Sequence, residues 1–136
     1  MIDAYIHSNN RIGALVELFC ETDFVAHNSA FKELAHSIAL HVAAMQPVYL
    51  ALDSIPLEVW DREKRRIEEE VMKLAKPSHI QEEIVEGKLH AFFAPLTLSE
   101  QPFVKDQDKT VQEVLNESIG RFGENIKLGR FVRFEV

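Results

Sequence analysis

The chain has 136 residues, a length that fits one compact domain, spanning 1–136, rather than two. Its 22 Asp and Glu outweigh its 15 Lys and Arg, and the net charge of −7 argues against a domain that wraps nucleic acid. The single cysteine excludes an intrachain disulfide, and the most apolar stretch, 38–45, is too short to span a bilayer. We therefore expect a soluble, cytoplasmic protein that binds neither nucleic acid nor a membrane.

Two strands are predicted at the start of the chain, over residues 2–7 and 12–20. The segment between them contains Asn9 and Asn10, and Asn tolerates the positive φ that a tight hairpin requires. The second strand alternates, but its polar side also carries Leu15 and Phe19. A strand that is apolar on both faces needs cover on both, so we expect helices on one side and a partner on the other.

The middle of the chain is predicted to be helical. Apolar residues recur at helical spacing from an N-cap at Asn28 or Ser29 until Pro47 stops the helix. A second helix begins near Pro56. Its charged stretch offers four i,i+4 ion pairs, namely Asp61–Arg65, Lys64–Glu68, Arg65–Glu69 and Arg66–Glu70. Since an acid neutralises each base, a solvated helix face is favoured over a phosphate-binding patch.

Two capping boxes predict the start of two more helices. Ser78-x-x-Gln81 begins the third, and Thr110-x-x-Glu113 begins the fourth, which ends near Gly123. Residues 101–106 are predicted to be a loop, and 129–136 is a β-rich run that closes the chain. Strands at both termini with helices between them predict an α+β fold, in which a small three-stranded antiparallel sheet packs against several helices.

The sequence offers little for covalent chemistry. Six histidines are dispersed, and His36 and His41 lie five apart rather than at the i,i+4 spacing of a two-histidine metal site. Gly120-x-x-Gly123 matches the loop of some RNA-binding folds, but such a pair is common by chance. Cys20 is interpreted as a small buried hydrophobe, with a Cys20-dependent hydrolase as the enzyme alternative. We expect no enzyme activity, no metal and no cofactor.

The segment 21–26 lies where the second strand gives way to helix. Either Thr22 or Asp23 can cap the new helix, and Asp23 would face the positive end of the helix dipole. The pattern alone therefore favours capping as the role of both polar residues and a place in the hydrophobic core for Phe24.

Five motifs nevertheless occur together in a fixed order along the chain. They are Tyr5-Ile6-His7-Ser8-Asn9, residues 11–18, Cys20-Glu21-Thr22-Asp23-Phe24-Val25-Ala26, Gln101-Pro102-Phe103-Val104-Lys105-Asp106, and residues 123–126 with 130–135. Together they resemble the translation elongation factor Ts family over essentially the whole chain. The resemblance implies a guanine-nucleotide exchange factor that acts in translation elongation by binding elongation factor Tu and makes no covalent bond.

The resemblance implies two partner-binding elements. The family's Thr-Asp-Phe-Val element matches four residues here without change: Thr22, Asp23, Phe24 and Val25. In the family this element meets the nucleotide domain of factor Tu, where its aromatic ring wedges in beside the magnesium site. Because Mg²⁺ requires a near-ideal octahedron, a small displacement there weakens binding of metal and GDP. Tyr5 and His7 match a Tyr-x-His element that faces a different domain of factor Tu.

The resemblance also implies a homodimer, since short bacterial members hold both elements in one module that pairs with itself. We expect the apolar sheet face to form that contact. We expect the family's N-terminal helical domain, which also binds factor Tu, to be missing before Met1, so that the chain is either a fragment or a reduced relative with weaker binding. The alternative function is then a dimerisation module without exchange activity of its own. Phe19 replaces a usual Asn, and Asn10 replaces a common Gly in the hairpin.

Overall fold

A computed structural model describes all residues of the chain, 1–136. The chain forms five helices, five strands and three short 3₁₀ turns, which lie at Leu52–Ser54, Ala94–Leu96 and Leu98–Glu100. In chain order the elements are β1 (Ile2–Ile6), β2 (Ile12–Phe19), α1 (Asp23–Ala26), α2 (Ser29–Met45), α3 (Leu57–Met72), α4 (Ser78–Phe93), β3 (Pro102–Phe103), β4 (Asp106–Thr110), α5 (Val111–Phe122) and β5 (Lys127–Glu135). None of these helices combines the length and the apolar character that a bilayer crossing requires.

The main sheet has three antiparallel strands in the order β1-β2-β5, which confirms the predicted α+β fold and its small sheet. Leu15 at the centre of β2 pairs with Ala4 of β1 and with Val132 of β5. The β1–β2 hairpin turns as predicted, with Asn10 at a φ of +57°. Asn is one of the few residues that adopt this left-handed conformation at small cost, so it can replace glycine here.

Helix α2 covers one face of the sheet and builds the main core. Ala14, Val16 and Leu18 point from β2 into this core, where they meet the buried side of α2. The helix begins as predicted, because the Asn28 side chain accepts a hydrogen bond from the backbone N–H of Ala30 at 2.9 Å. It ends at Met45, and its C-cap Gln46 has a φ of +51°, directly before the proline predicted to stop the helix.

Helices α3 and α4 pack against each other around a second, smaller core. Trp60 of α3 stacks on Phe93 of α4 with ring centroids 5.0 Å apart. Two of the four predicted ion pairs form, Lys64–Glu68 at 3.9 Å and Arg66–Glu70 at 2.7 Å. The predictions for Asp61–Arg65 and Arg65–Glu69 are wrong, because neither pair forms. Exposed ion pairs of this kind contribute little to stability whether or not they form.

One capping box is confirmed and the other is wrong. Thr110 Oγ1 accepts from the N–H of Glu113 at 3.2 Å, and Glu113 Oε2 accepts from the N–H of Thr110 at 2.7 Å. Ser78 is instead the first helical residue of α4, after Pro77. Gln81 donates to the Leu74 carbonyl at 3.0 Å instead of reaching back to an N-cap. A serine already inside the helix cannot serve as its N-cap.

The prediction of a loop at 101–106 is wrong in part: residues 102, 103 and 106 belong to β3 and β4, which form a small antiparallel hairpin, and residues 104 and 105 form its turn. Two long-range contacts hold it. The ring of Phe103 stacks on His41 of α2 at 5.8 Å, and His41 Nδ1 accepts from the N–H of Val104 at 3.0 Å. Gly123 ends α5 with a φ of +73°, as predicted, whereas Gly120 lies inside the helix, so the two glycines do not frame a loop.

Candidate functional site

The segment 22–26 forms a single helical turn, α1, between the end of β2 and the start of α2. Thr22 is its N-cap: the residue is extended, with a φ of −126°, and its Oγ1 accepts from the N–H of Val25 at 3.3 Å. Of the two predicted caps, Thr22 is therefore the one used, and Asp23 lies exposed in the first turn. There its carboxylate faces the positive end of the short helix.

The two apolar residues of this turn lie in opposite environments. The side chain of Val25 is 3% exposed and belongs to the main core, whereas Phe24 is 83% exposed. The interpretation of Phe24 as a core residue is therefore wrong. One turn of helix can direct only one of two adjacent side chains inward, and Val25 takes that place. A free aromatic ring remains on the surface.

A carboxylate from the far end of the chain binds this turn. Glu124, just after α5, accepts hydrogen bonds from the N–H groups of Glu21 and Thr22 at 2.6 and 2.9 Å and from the Thr22 hydroxyl at 2.7 Å. Desolvation alone would raise the pKa of Glu124, but these hydrogen bonds outweigh it and lower that pKa. Glu124 lies within one of the five motifs, yet the local sequence pattern predicts no role for it.

Tyr5 and His7 lie side by side on β1 and the turn that follows it. The Tyr5 hydroxyl and His7 Nδ1 are 3.0 Å apart. The Tyr5 ring also lies edge-on to His36 of α2, with centroids 6.0 Å apart, and His36 Nδ1 is 2.9 Å from Asp3 Oδ2. Tyr5 and His7 border a surface groove of about 360 Å³ between the sheet and α2.

The two candidate elements are separate in the fold. Tyr5 pairs with Ala14, five residues before the end of β2 at Phe19. At about 3.4 Å per residue this amounts to about 17 Å along the strand, with Phe24 further on. Phe24 and the Tyr5–His7 pair therefore lie on two separate regions of the surface and not in one composite site.

The sheet face opposite α2 is uncovered and largely apolar. Its exposed large side chains include Leu15, half-exposed at the centre, and Phe134, 67% exposed near one end. A β-carbon on Gly129 would clash with Phe19, so the absence of a side chain there lets the Phe19 ring lie over the strand. We call this surface the open sheet face. Its apolar residues are Ile2, Ala4, Ile6, Leu15, Phe19, Val132 and Phe134.

One ion pair crosses the open sheet face. Arg130 of β5 binds Glu17 of β2, with Nη2 2.6 Å from Oε1, and its backbone N–H also donates to this carboxylate. The hydrogen bonds from the Arg130 side chain and backbone lower the pKa of Glu17 to about 2. The pair thus keeps its charge through the whole range of neutral and mildly acidic pH.

Cys20 and His41 make structural contacts. The Cys20 thiol is half-buried and donates to the carbonyl of Thr22 at 3.4 Å, with no histidine bound to it. His41 is fully buried against Gln101, at 2.9 Å, and burial lowers its pKa. No three His, Cys, Asp or Glu side chains are grouped to hold a metal ion. The arrangement offers surfaces for binding a protein.

Comparison with known proteins agrees with the motifs. The family model of elongation factor Ts matches residues 1–136. The chain is 48% identical to elongation factor Ts of Acetivibrio thermocellus over 135 residues, which is 99% of this chain and 63% of that protein. It is 48% identical to the Syntrophomonas wolfei factor over 136 residues, and 47% identical to that of Thermosipho melanesiensis over the same length.

The matches cover the whole chain but only part of the relatives. The chain spans 64% of the length of the Syntrophomonas factor and 69% of the Thermosipho factor. The resemblance seen in the motifs is thereby confirmed at full length of this chain. Family model and identity together show that the chain belongs to the elongation factor Ts family.

Proposed function

We propose that this chain is a guanine-nucleotide exchange factor of translation elongation, which binds elongation factor Tu–GDP in the cytoplasm and promotes GDP release. The observation that carries the proposal is the exposure of Phe24, 83% free on a turn whose neighbour Val25 is buried in the core. Thr22 caps the same turn and Asp23 flanks the ring. The Phe24 ring of the family's Thr-Asp-Phe-Val element is thus held facing outward, while Val25 anchors the same turn in the core.

The mechanism requires no covalent step. Burial of the Phe24 ring in the partner contributes roughly 1.5–3 kcal/mol, which can offset a displacement of the groups around the bound Mg²⁺. Because Mg²⁺ tolerates little distortion of its octahedron, that displacement weakens both the metal and GDP. By linkage, this protein weakens the binding of GDP to factor Tu by the same ratio as GDP weakens the binding of this protein to factor Tu. Release of GDP and binding of this protein therefore favour each other.

Tyr5 and His7 are proposed as a second contact with factor Tu. They are separate from Phe24, so they can meet a different domain of the partner. The Tyr5 hydroxyl and the His7 ring, 3.0 Å apart, give this contact a polar edge. Contacts at two domains would hold the partner while the Phe24 ring enters the nucleotide site.

The open sheet face is proposed as the surface of a homodimer. Its central strand is apolar on this side as well as on the core side, and exposed patches of this kind mark interaction surfaces. Sheet-on-sheet packing across a two-fold axis would cover it. This face also favours the alternative function, a dimerisation module that does not promote exchange on its own.

The test of exchange is the release of a fluorescent GDP analogue from factor Tu, with and without the chain. We expect acceleration by the native chain and a loss of at least about tenfold with Phe24→Ala, since the ring no longer enters the nucleotide site. Phe92→Ala, at another partly exposed phenylalanine on α4, is the matched control and should keep the native rate.

Two outcomes would contradict this proposal. If the Phe24→Ala variant accelerates GDP release as much as the native chain does, the Phe24 ring is not the group that enters the nucleotide site. A folded native chain that leaves GDP release unchanged at saturating concentration would favour the dimerisation module.

A further inference from the structure

We propose that Glu124 is a positioning residue for nucleotide exchange, which fixes the turn that presents Phe24 to factor Tu. The inference rests on the proposed exchange function. Nothing in the mechanism above requires Glu124 to touch the partner, and its role is to hold the conformation of residues 21–25.

The contacts of Glu124 lead directly to the turn. One carboxylate oxygen accepts from two successive backbone N–H groups, those of Glu21 and Thr22, and the other accepts from the Thr22 hydroxyl. Since the hydroxyl hydrogen is directed at Glu124, a lone pair of the same oxygen remains for the N–H of Val25. A continuous chain of hydrogen bonds therefore runs from Glu124 to the first turn of α1, on which Phe24 lies.

The contact is reciprocal. The side chain of Glu21 accepts from the N–H of Asn125 at 3.2 Å, so each glutamate binds the backbone beside the other. We call this pair, Glu21 and Glu124, the glutamate latch. It joins residues more than 100 positions apart and connects the β2–α1 junction to the α5–β5 junction.

The turn has few other anchors. Helix α1 has four residues, and Val25 is the only one that is buried. An isolated single turn is unstable in water because its first hydrogen bond must order several residues. The direction of Phe24 therefore depends on Val25 inside the core and on the latch at the surface, together with two local contacts, from the Cys20 thiol to the Thr22 carbonyl and from His27 Nδ1 to the Asp23 carbonyl.

A role in stabilising α5 does not account for Glu124. The residue follows Gly123 just beyond the C-terminus of that helix, where the dipole disfavours a negative charge. Neither glutamate of the latch forms a salt bridge, so no basic side chain accounts for the place of Glu124. The favourable contacts of Glu124 at this position are its three hydrogen bonds, from two backbone N–H groups and one hydroxyl of residues 21 and 22.

The test compares Glu124→Ala with the conservative Glu124→Gln in the GDP-release assay, across concentrations of the chain. Glu124→Ala should lower the maximal rate at saturation by at least about tenfold, since a displaced group loses its productive geometry even in a formed complex. Glu124→Gln should stay within about threefold of native, because its oxygen still accepts from both N–H groups and its amide donates to Thr22. Glu113→Ala, which removes an acceptor at the other end of α5, should keep the native maximal rate.

Amide hydrogen exchange gives an independent measurement on the folded protein. In Glu124→Ala we expect faster exchange of the Val25 N–H than in native protein, with no change for amides of α2 in the core. A native maximal rate in Glu124→Ala, in an assay where Phe24→Ala is impaired, would overturn the positioning role while leaving the exchange function intact. Unchanged Val25 protection would overturn it as well. If the native chain itself fails to accelerate release, the exchange function fails, and the hydrogen-exchange result alone decides whether Glu124 fixes the turn.

Discussion

At the scale of single residues, Phe24 and Val25 are both apolar, and the sequence pattern predicts a core position for either of them. The structure separates them, with Val25 in the main core and Phe24 on the surface. Which of two adjacent side chains points inward depends on the rotation of one helical turn, and hydrogen bonds to Glu124, about 100 residues away, help to set that rotation. Patterning predicted Thr22 as a possible cap but assigned Phe24 to the wrong environment.

The ion pair of Glu17 and Arg130 makes stability depend on pH in acid. Hydrogen bonds from Arg130 hold the pKa of folded Glu17 at about 2, against 4.5 for the ordinary carboxyl. Because the folded pKa is the lower one, the pair stabilises the fold fully above 4.5, and this contribution disappears as pH falls towards 2.

The measurement is urea unfolding of native protein and Glu17→Gln at a series of pH values. We expect native protein to be more stable near neutral pH and the difference to shrink as the pH falls through this range. A difference in the free energy of unfolding that stays constant at all pH values would show that the pair contributes nothing through its charge.

At the scale of elements, the two capping boxes have the same sequence form but different outcomes. Thr110 closes a full reciprocal cap with Glu113, while Ser78 is already inside α4 and Gln81 binds the carbonyl of Leu74. Pro77 precedes Ser78 and takes the N-cap position, which moves the helix start by one residue. Such boundaries depend on how the neighbouring segment packs, and a motif alone does not decide them.

This difference predicts unequal effects of two similar substitutions. Thr110→Ala should lower the free energy of unfolding by about 1 kcal/mol, because the N–H of Glu113 loses its acceptor. Ser78→Ala is the matched control and should change it by less than about 0.5 kcal/mol, since an exposed residue at the first helical position lacks that role. Urea unfolding of both variants measures the effect, and equal losses would contradict it.

The β3–β4 hairpin is an element that its local sequence does not predict. Its first strand begins at Pro102 and its second, Asp106–Thr110, is entirely polar, and both features indicate a loop. In the fold, Phe103 stacks on His41, and His41 also accepts from the N–H of Val104. Contacts with α2, some 60 residues earlier in the chain, thus stabilise strands that their own composition does not favour.

At the scale of the whole molecule, the open sheet face is the main feature that one copy of the chain leaves uncovered. Leu15 lies at its centre, flanked by Ala4 and Val132 in the neighbouring strands. We expect native protein to be a dimer at micromolar concentration in analytical ultracentrifugation. Leu15→Lys should weaken the dimer by at least tenfold, because two ammonium groups would be buried near the two-fold axis.

Leu57→Lys is the matched control, since Leu57 is also exposed but lies on α3, away from the sheet. It should remain a dimer of native affinity. A native chain that is monomeric at micromolar concentration would contradict packing through the open sheet face, and so would dissociation by both substitutions alike.

The amino-acid sequence by itself determined the family, the α+β class, the β1–β2 hairpin at Asn10 and the ends of α2, because motifs, caps and turn residues act over a few neighbouring positions. Only the tertiary structure decided that Phe24 faces outward, that Glu124 holds its turn and that residues 102–110 form a hairpin. Each of these features depends on contacts between groups about 60 to 100 residues apart. Packing of the whole core brings these groups together, and no periodic pattern in the sequence indicates such contacts.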